Sequence, residues 1–411
     1  MQTTLLPALL KTTTGQEANK VLRNCVHCGF CNATCPTYQL TGDELDGPRG
    51  RIYLMKQVLE GATPTRTTQV HLDRCLTCRA CETTCPSGVD YHHLLDTGRE
   101  LLEQKVKRPL RERFMRGVLG TLLPRPARFT PLLRLGQAVR PLLPAKLKQH
   151  IPAYRKSGRF TATQTHARSM LLLDGCVQPA LAPQINTATR RVLDALGINT
   201  VIASKGGCCG AVSFHLGAPD AAKGFMRNNI DAWWPVIEQG AEAIVITASG
   251  CAPMVKEYGR LLADDPAYAE KASRVSELAR DISEIIAAEN PASRLKRPDN
   301  PTRVAFHSPC TLQHGQGLDG VVEKILEQIG YELTTVADSH LCCGSAGTYS
   351  ILQPQLANSL RDNKLQALQS AQPDLIASAN IGCLMHMMPH SGRPMLHWIE
   401  LLETLIPGGS T

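Results

Sequence analysis

The sequence predicts an α+β multidomain chain: a helical, cysteine-rich head followed by two repeated α/β units with parallel sheets. Three observations predict it. The 411 residues hold 16 cysteines, eight within 1–104 and eight within 171–411, with none between. The second block repeats itself: Cys176, Cys208-Cys209-Gly210 and Cys251 are answered by Cys310, Cys342-Cys343-Gly344 and Cys383, with 31 residues from first cysteine to pair in both copies. The gap from pair to last cysteine is 41 residues, then 39. Within each copy, short apolar runs alternate with helical periods, as a parallel sheet requires. The expected divisions are 1–104, 105–170, 171–300 and 301–411.

The head carries "CVHCGFCNATCP" and "CLTCRACETTCP", both C-x2-C-x2-C-x3-C-P. This is the bacterial ferredoxin pattern for two [4Fe-4S] clusters, in which three thiolates wrap one cluster and the fourth crosses to the other. It assigns Cys25, Cys28, Cys31 and Cys85 to one cluster, and Cys75, Cys78, Cys81 and Cys35 to the second. Structural zinc is the competing reading, but zinc sites use C-x-x-C pairs separated by a longer loop and need no complete copy ending in Cys-Pro. The 39 residues between Cys35 and Cys75 include "DGPRGRIYLMKQVLEG", a helical stretch, and "YHHLLDTGRELLEQKV" follows the second motif. The head therefore reads as a helical two-cluster ferredoxin domain. Arg49 and Arg51 either offset cluster charge or are ordinary solvated helix residues.

The connector concentrates the charge. From Lys105 to Arg168 there are 16 Lys and Arg against one acid, Glu112, leaving 28 basic against 35 acidic residues elsewhere; the formal net charge of +8 belongs to one segment. Its prolines forbid one long helix. Its leucine pairs and arginines suit an anionic membrane surface or an acidic partner subunit, with a solvated linker as the plain alternative. No nucleic-acid recognition motif accompanies the charge, so nucleic acid is not expected as a partner.

In the body, Leu171–Leu173 and Val304–Phe306 read as first strands. "TATRRVLDALG" and "GVVEKILEQIG" read as helices closing on glycine. "NTVIAS" and "YELTTVA" are second strands, leading into Cys-Cys-Gly. "EAIVITA" and "DLIASA" are third strands, ending near Gly-Cys. Every cysteine position lies just past a strand end, where sites form in such sheets.

No run of 18 apolar residues appears, so no transmembrane helix is expected. The N-terminus lacks a basic start and a cleavage site, so it is a poor secretory signal and a cytoplasmic chain is expected, with peripheral contact at the inner membrane's cytoplasmic face. Cytosolic cysteines in clusters read as ligands and not as disulfides.

These motifs together resemble a family of electron-transfer subunits that place a helical ferredoxin domain before two cysteine-rich CCG domains. It includes subunits of heterodisulfide reductase and the iron–sulfur subunits of anaerobic glycerol-3-phosphate dehydrogenase and of glycolate oxidase. "CPTYQLTGDELDGPRGRIYLMKQVLEG", "RCLTCRACETTCPSGVDYH", "NNIDAWWP" and "SHLCCGSAGTY" are similar to the glycolate oxidase iron–sulfur subunits. The resemblance implies a complex that oxidises glycolate to glyoxylate. FAD would lie on a partner subunit, and this chain would pass electrons towards a quinone or another membrane acceptor, with no catalytic residue of its own. Lactate, glycerol 3-phosphate or heterodisulfide partners are the alternatives, and a zinc scaffold is the reading from another class.

One departure stands out. The family's fullest pattern ends each copy in Cys-x-x-Cys, but here Met254 and His386 take the last positions. Cys176, Cys208, Cys209 and Cys251, and Cys310, Cys342, Cys343 and Cys383, still supply four thiols per copy, enough for zinc, a further cluster or an empty thiol site. Weaker signals are "GQGLDG" at Gly315–Gly320, a lone match to a dinucleotide pattern. His215, His307 and His314 are expected to be locally satisfied, and Trp233 and Trp234 to be core or partner contacts.

Overall fold

A computed structural model describes residues 1–144, 148 and 151–407. In the head, Thr12 caps helix Thr13–Asn24 by accepting from Gly15 N at 3.1 Å. Pro48 opens helix Pro48–Leu59, and a Thr65/Thr68 capping box opens helix Arg66–Asp73. With helix Tyr91–Lys105 they bury Leu22, Met55, Leu59, Leu72, Leu94, Leu95 and Leu102 in one core. Gly98 is required where the last helix meets Pro48–Leu59, since a Cβ there would lie 2.7 Å from Met55 Sδ.

The described part of the connector includes two helices, Leu110–Leu122 and Pro126–Val139. Its first portion is fastened to the head: Arg108 and Arg116 both pair with Asp73, at 2.5 and 3.1 Å. The second helix buries none of its residues, and it tolerates Pro131 inside.

The body holds two sheets of four parallel strands. The first comprises β1 (Arg168–Leu172), β2 (Ile198–Val201), β3 (Ile244–Ile246) and β4 (Ala279–Asp281), in the order β2-β1-β3-β4. The second comprises β5 (Arg303–His307), β6 (Glu332–Leu333), β7 (Leu375–Ser378) and β8 (Met395–His397), in the order β6-β5-β7-β8. The parallel repeat expected from the sequence is therefore present. Its helices end on left-handed glycines at the expected places, with φ +86° at Gly197 and +104° at Gly330. The fourth strand of each sheet was not expected. At three residues each, β4 and β8 are too short to impose a period of two on the sequence.

The two repeats pack as a pseudo-dimer. Helix Gln184–Ala195 of the first packs on helix Trp398–Glu403 of the second, and Val321–Ile329 of the second packs on Ile282–Ala288 of the first. That reciprocity is the geometry of an isologous contact. The capping is reciprocal too: Asp281 with Glu284, and His397 with Glu400, form capping boxes at the matching helix starts. Ile185, Val192, Ile285, Ile325, Trp398 and Leu402 belong to one hydrophobic core spanning both sheets. Burying each such side chain contributes about 1.5–3 kcal/mol, so the repeats are held as one body.

Candidate functional site

The two head motifs shape their loops alike. His27 and Thr77 take φ of +56° and +55°, and Gly29 and Arg79 take +87° and +64°. Alternating left-handed residues turn backbone N–H groups inward, forming a nest for anionic sulfur. Thr77 N donates to Cys75 Sγ at 3.4 Å. Cys25, Cys28, Cys31 and Cys85 line a cavity of about 440 Å3. Burial, with Cys25, Cys85 and Cys28 beside it, pushes the Cys31 thiol up to about 11. Cys35, Cys75, Cys78 and Cys81 line a neighbouring cavity of about 300 Å3. Burial and mutual proximity likewise push Cys78 and Cys81 well up. Four thiols gathered at each cavity fit a cationic iron core that takes their protons' place.

Arg51 is 1% exposed and stands beside the second cavity, whereas Arg49 is a partly exposed partner of Glu44. Arg51 and Arg79 line the second cavity and Arg49 the first, and Arg51 is the fully buried one. Burial alone would lower its pKa, but Cys75, Tyr91, Cys35 and Asp46 around it hold it cationic. Arg51 Nε donates to His71 O at 2.8 Å and Nη2 to Thr37 Oγ1 at 3.2 Å. Asp46, fully buried, accepts from Arg74 at 2.8 Å and meets His71 Nδ1 at 2.8 Å. Sequence reasoning missed Asp46 and His71. They lie 25 residues apart, and only their shared burial marks them.

In the first repeat, Cys176, Cys208, Cys209 and Cys251 form a continuous thiol chain, in which donation from Cys176 and Cys209 pulls Cys208 down to about 4. In the second, Cys310 Sγ donates to Cys342 Sγ at 3.7 Å and Asn380 Nδ2 donates to Cys383 Sγ at 3.3 Å. The glycine after each pair has one role in both copies. Gly210 N donates to Cys208 Sγ, and Gly344 N to Cys342 Sγ, each at 3.4 Å. Both glycines have positive φ, and a Cβ at Gly344 would lie 2.5 Å from Ala357 O. Asn229 braces the first pair, accepting from Gly207 N and donating to Cys208 O, both at 2.8 Å.

Met254 is buried, and His386 Nε2 donates to Ala357 O at 3.2 Å, so neither stands in for a fifth thiol. His314 is satisfied, bonding Thr83 and His340 O, both at 2.9 Å. His307 is not: its Nδ1 meets Ser378 Oγ at 2.9 Å, but its buried Nε2 has no partner. Trp233 is core, stacked on Tyr258, while Trp234 bonds Glu238 nearer the surface. The Gly315–Gly320 loop sends Gln316 to Asp281 at 3.1 Å.

The head meets the two thiol sets unequally. Leu76, Cys78 and Ala80 share a hydrophobic cluster with Cys310, Cys342, Tyr349 and Leu360 of the second repeat. Cys209 and Cys251 of the first repeat pack in a separate core.

A third cavity, about 600 Å3, opens where the head meets both repeats; its walls include Cys78, His92, Asp96, His215 and Met254. Burial opposes charge on His92, but Asp90 and Glu82 outweigh it and hold the imidazole up to about 9. Burial pushes the Asp96 carboxyl up. His215 is an exposed residue on the wall of this cavity. Among the described residues, no helix is long and apolar enough to cross a membrane.

Comparison with known proteins agrees with this arrangement. The 4Fe-4S dicluster domain family matches residues 21–89, and the cysteine-rich domain family matches 170–256 and 304–388. The chain is 56% identical to the glycolate oxidase iron-sulfur subunit of Escherichia coli (strain K12) over 404 residues, 98% of each chain. It is 31% identical to the "Probable glycolate oxidase iron-sulfur subunit" of Bacillus subtilis (strain 168), covering 89% of this chain and 88% of that one. It is also 28% identical to lactate utilization protein A of Bacillus licheniformis, over 56% of this chain and 96% of that protein. With 56% identity running from end to end, the chain belongs to the family of glycolate oxidase iron–sulfur subunits.

Proposed function

We propose that this chain is the electron-transfer subunit of a complex that oxidises glycolate to glyoxylate. A flavin-bearing partner, holding FAD, removes two electrons and two protons from glycolate, and this chain relays the electrons singly. Cys25, Cys28, Cys31 and Cys85 hold one [4Fe-4S] cluster; Cys75, Cys78, Cys81 and Cys35 hold the other; the clusters supply one-electron storage. The observation that carries this reading is the gathering of each motif's first three thiols with the fourth of the other motif around two adjoining cavities. Cys176, Cys208, Cys209 and Cys251, and their counterparts in the second repeat, are sites for a further cluster or zinc. The divisions at 104, 170 and 300 separate wire, connector and the two repeats.

We place the acceptor, a quinone head group, in the cavity at the head–repeat junction. Its walls are largely apolar, Cys78 brings a cluster site to its edge, and cationic His92 can give a proton. The connector brings the chain to the cytoplasmic face of the inner membrane. Leu110, Phe114, Leu135 and Leu142 are 80%, 73%, 64% and 85% exposed among its basic side chains. Each cation near an anionic surface adds about 1 kcal/mol.

A lactate-oxidising partner is the second reading, favoured by the similarity to lactate utilization protein A. End-to-end identity of 56% to the glycolate subunit ranks above it. Iron and sulfide analysis of the anaerobically purified chain tests the redox reading. Two [4Fe-4S] clusters give about eight irons per chain; zinc without iron would sink it.

A further inference from the structure

The two repeats share one fold and one order of cysteines, yet their thiol sites differ beside the first cysteine. Three residues before Cys310 stands His307, the last residue of β5; three residues before Cys176 stands Leu173. His307 is 2% exposed. Its strand neighbour Ser378 meets Nδ1 at 2.9 Å and fixes the ring, while Nε2 is buried with no hydrogen-bond partner among the described residues. An imidazole nitrogen of His307 and the sulfurs of Cys343 and Cys383 all lie within 4.8 Å of one another.

Buried polar atoms in folded proteins find partners, so an orphaned ring nitrogen beside two thiols calls for one. With Nδ1–H donating to Ser378, Nε2 presents its lone pair, the arrangement by which an outer hydrogen bond orients a ligating histidine. Sulfur and nitrogen donors bound to one ion at about 2.3 and 2.1 Å stand roughly 3.5–4 Å apart, so the group needs little adjustment to close on a single metal.

We propose that the second repeat is a mixed thiolate–imidazole redox centre in which His307 Nε2 and the thiolates of Cys343 and Cys383 hold one iron, with Cys310 and Cys342 completing the site. The first repeat, with leucine at the matching place, is a thiolate-only site. Imidazole at this position gives the centre a higher potential than a thiolate there would. The second repeat is also the one whose Cys310 and Cys342 pack against Cys78 of the head. That packing gives electrons leaving the head a path into this repeat, one at a time, each reducing ferric iron to ferrous and passing on to the acceptor before the next arrives. This inference rests on the electron-transfer reading above and adds a ligand and a path to it.

The test uses the full chain, produced anaerobically with its flavin partner, and pulsed EPR of the reduced protein. A strongly coupled histidine nitrogen is expected, and it should change isotope signature when histidine alone is 15N-labelled. His307→Cys keeps a ligand at the position. It should keep the iron, lose the coupling and lower the midpoint potential of that one centre, with the head signals unmoved. His307→Leu, which copies the first repeat, should also lose the coupling. Iron in the repeats without histidine coupling, an unchanged potential in His307→Cys, zinc at the site, or no iron beyond the head's eight would each overturn the proposal. None of these would alter reduction of the head by glycolate. Conversely, histidine coupling in a protein that glycolate cannot reduce would leave this ligand in place and remove the assigned substrate.

Discussion

Cys78 of the second head motif packs against Cys310 of the second repeat, within one buried cluster that also holds Leu76, Cys342 and Tyr349. The contact joins the innermost head thiols to one repeat and not the other. A Cys310→Ser variant should shift the potential and EPR line shape of the head cluster held by Cys75, Cys78, Cys81 and Cys35. Cys176→Ser should leave both unchanged. A redox titration followed by EPR compares the two, and equal effects would contradict the asymmetry.

Arg51 and Asp46 are buried at 1% and 0% exposure and lie 3.7 Å apart. Breaking a buried pair leaves one charge uncompensated and costs about 3–5 kcal/mol. Arg51→Met should lower stability by roughly that much and lower the potential of the adjoining cluster, since a nearby cation favours the reduced, more negative state. Chemical denaturation and potentiometry check the two effects separately. Arg49→Met, at a partly exposed position, should cost about 1 kcal/mol or less.

Gly344 combines φ of +85° with a Cβ position 2.5 Å from Ala357 O, whereas nothing lies within 4 Å of a Cβ at Gly207. Gly344→Ala should destabilise by about 2–4 kcal/mol through left-handed strain and overpacking. Gly207→Ala should stay within about 0.5–1 kcal/mol. Urea unfolding midpoints distinguish them, and a neutral Gly344→Ala would refute the assigned role of the glycine.

His92 is held up to about 9 against an ordinary 6.5. A raised histidine pKa contributes stability that is fully present below the unfolded value and is lost as pH rises through the folded one. Between pH 6.5 and 9 the wild-type protein should therefore lose about 2–3 kcal/mol that His92→Gln does not lose. The lowered Glu82 and Asp90 act in the opposite sense, stabilising above the carboxylate range and failing in acid. Unfolding curves at pH 6.5 and 9.5 for both proteins give the difference directly.

Phe114 and Leu135 are exposed on connector helices that carry many cations. Phe114→Glu with Leu135→Glu should abolish flotation of the purified complex with anionic vesicles and leave iron content unchanged. Undiminished flotation would exclude the connector as the contact.

The architecture was legible where the sequence repeats itself. Matching cysteine gaps, equal at 31 residues and nearly so at 41 and 39, and glycine-terminated helices announced two parallel sheets, and both are present in the same strand order. The edge strands β4 and β8 were not legible, because three residues inside a helical neighbourhood carry no period. The connector's helices were hidden by prolines, which the chain places at a helix start (Pro126) and, against expectation, inside one (Pro131). In the site, the cysteines declare themselves by spacing. The residues that tune them do not. Asp46 gains its meaning only from the distant His71 and Arg74. His307 reads as an ordinary strand residue until β7 sets Ser378 against one ring nitrogen, the other is left without a partner, and Cys343 and Cys383 close on the imidazole. The junction cavity draws its walls from the head and both repeats, so no local pattern could announce it.

The central claim is that this chain carries electrons taken from glycolate. The direct measurement is anaerobic EPR of the chain with its flavin partner, before and after glycolate. The account predicts reduced [4Fe-4S] signals from two interacting clusters on adding glycolate, lost in Cys31→Ser and Cys78→Ser. An iron-loaded complex whose clusters stay oxidised with glycolate, yet are reduced by lactate or glycerol 3-phosphate, would contradict it.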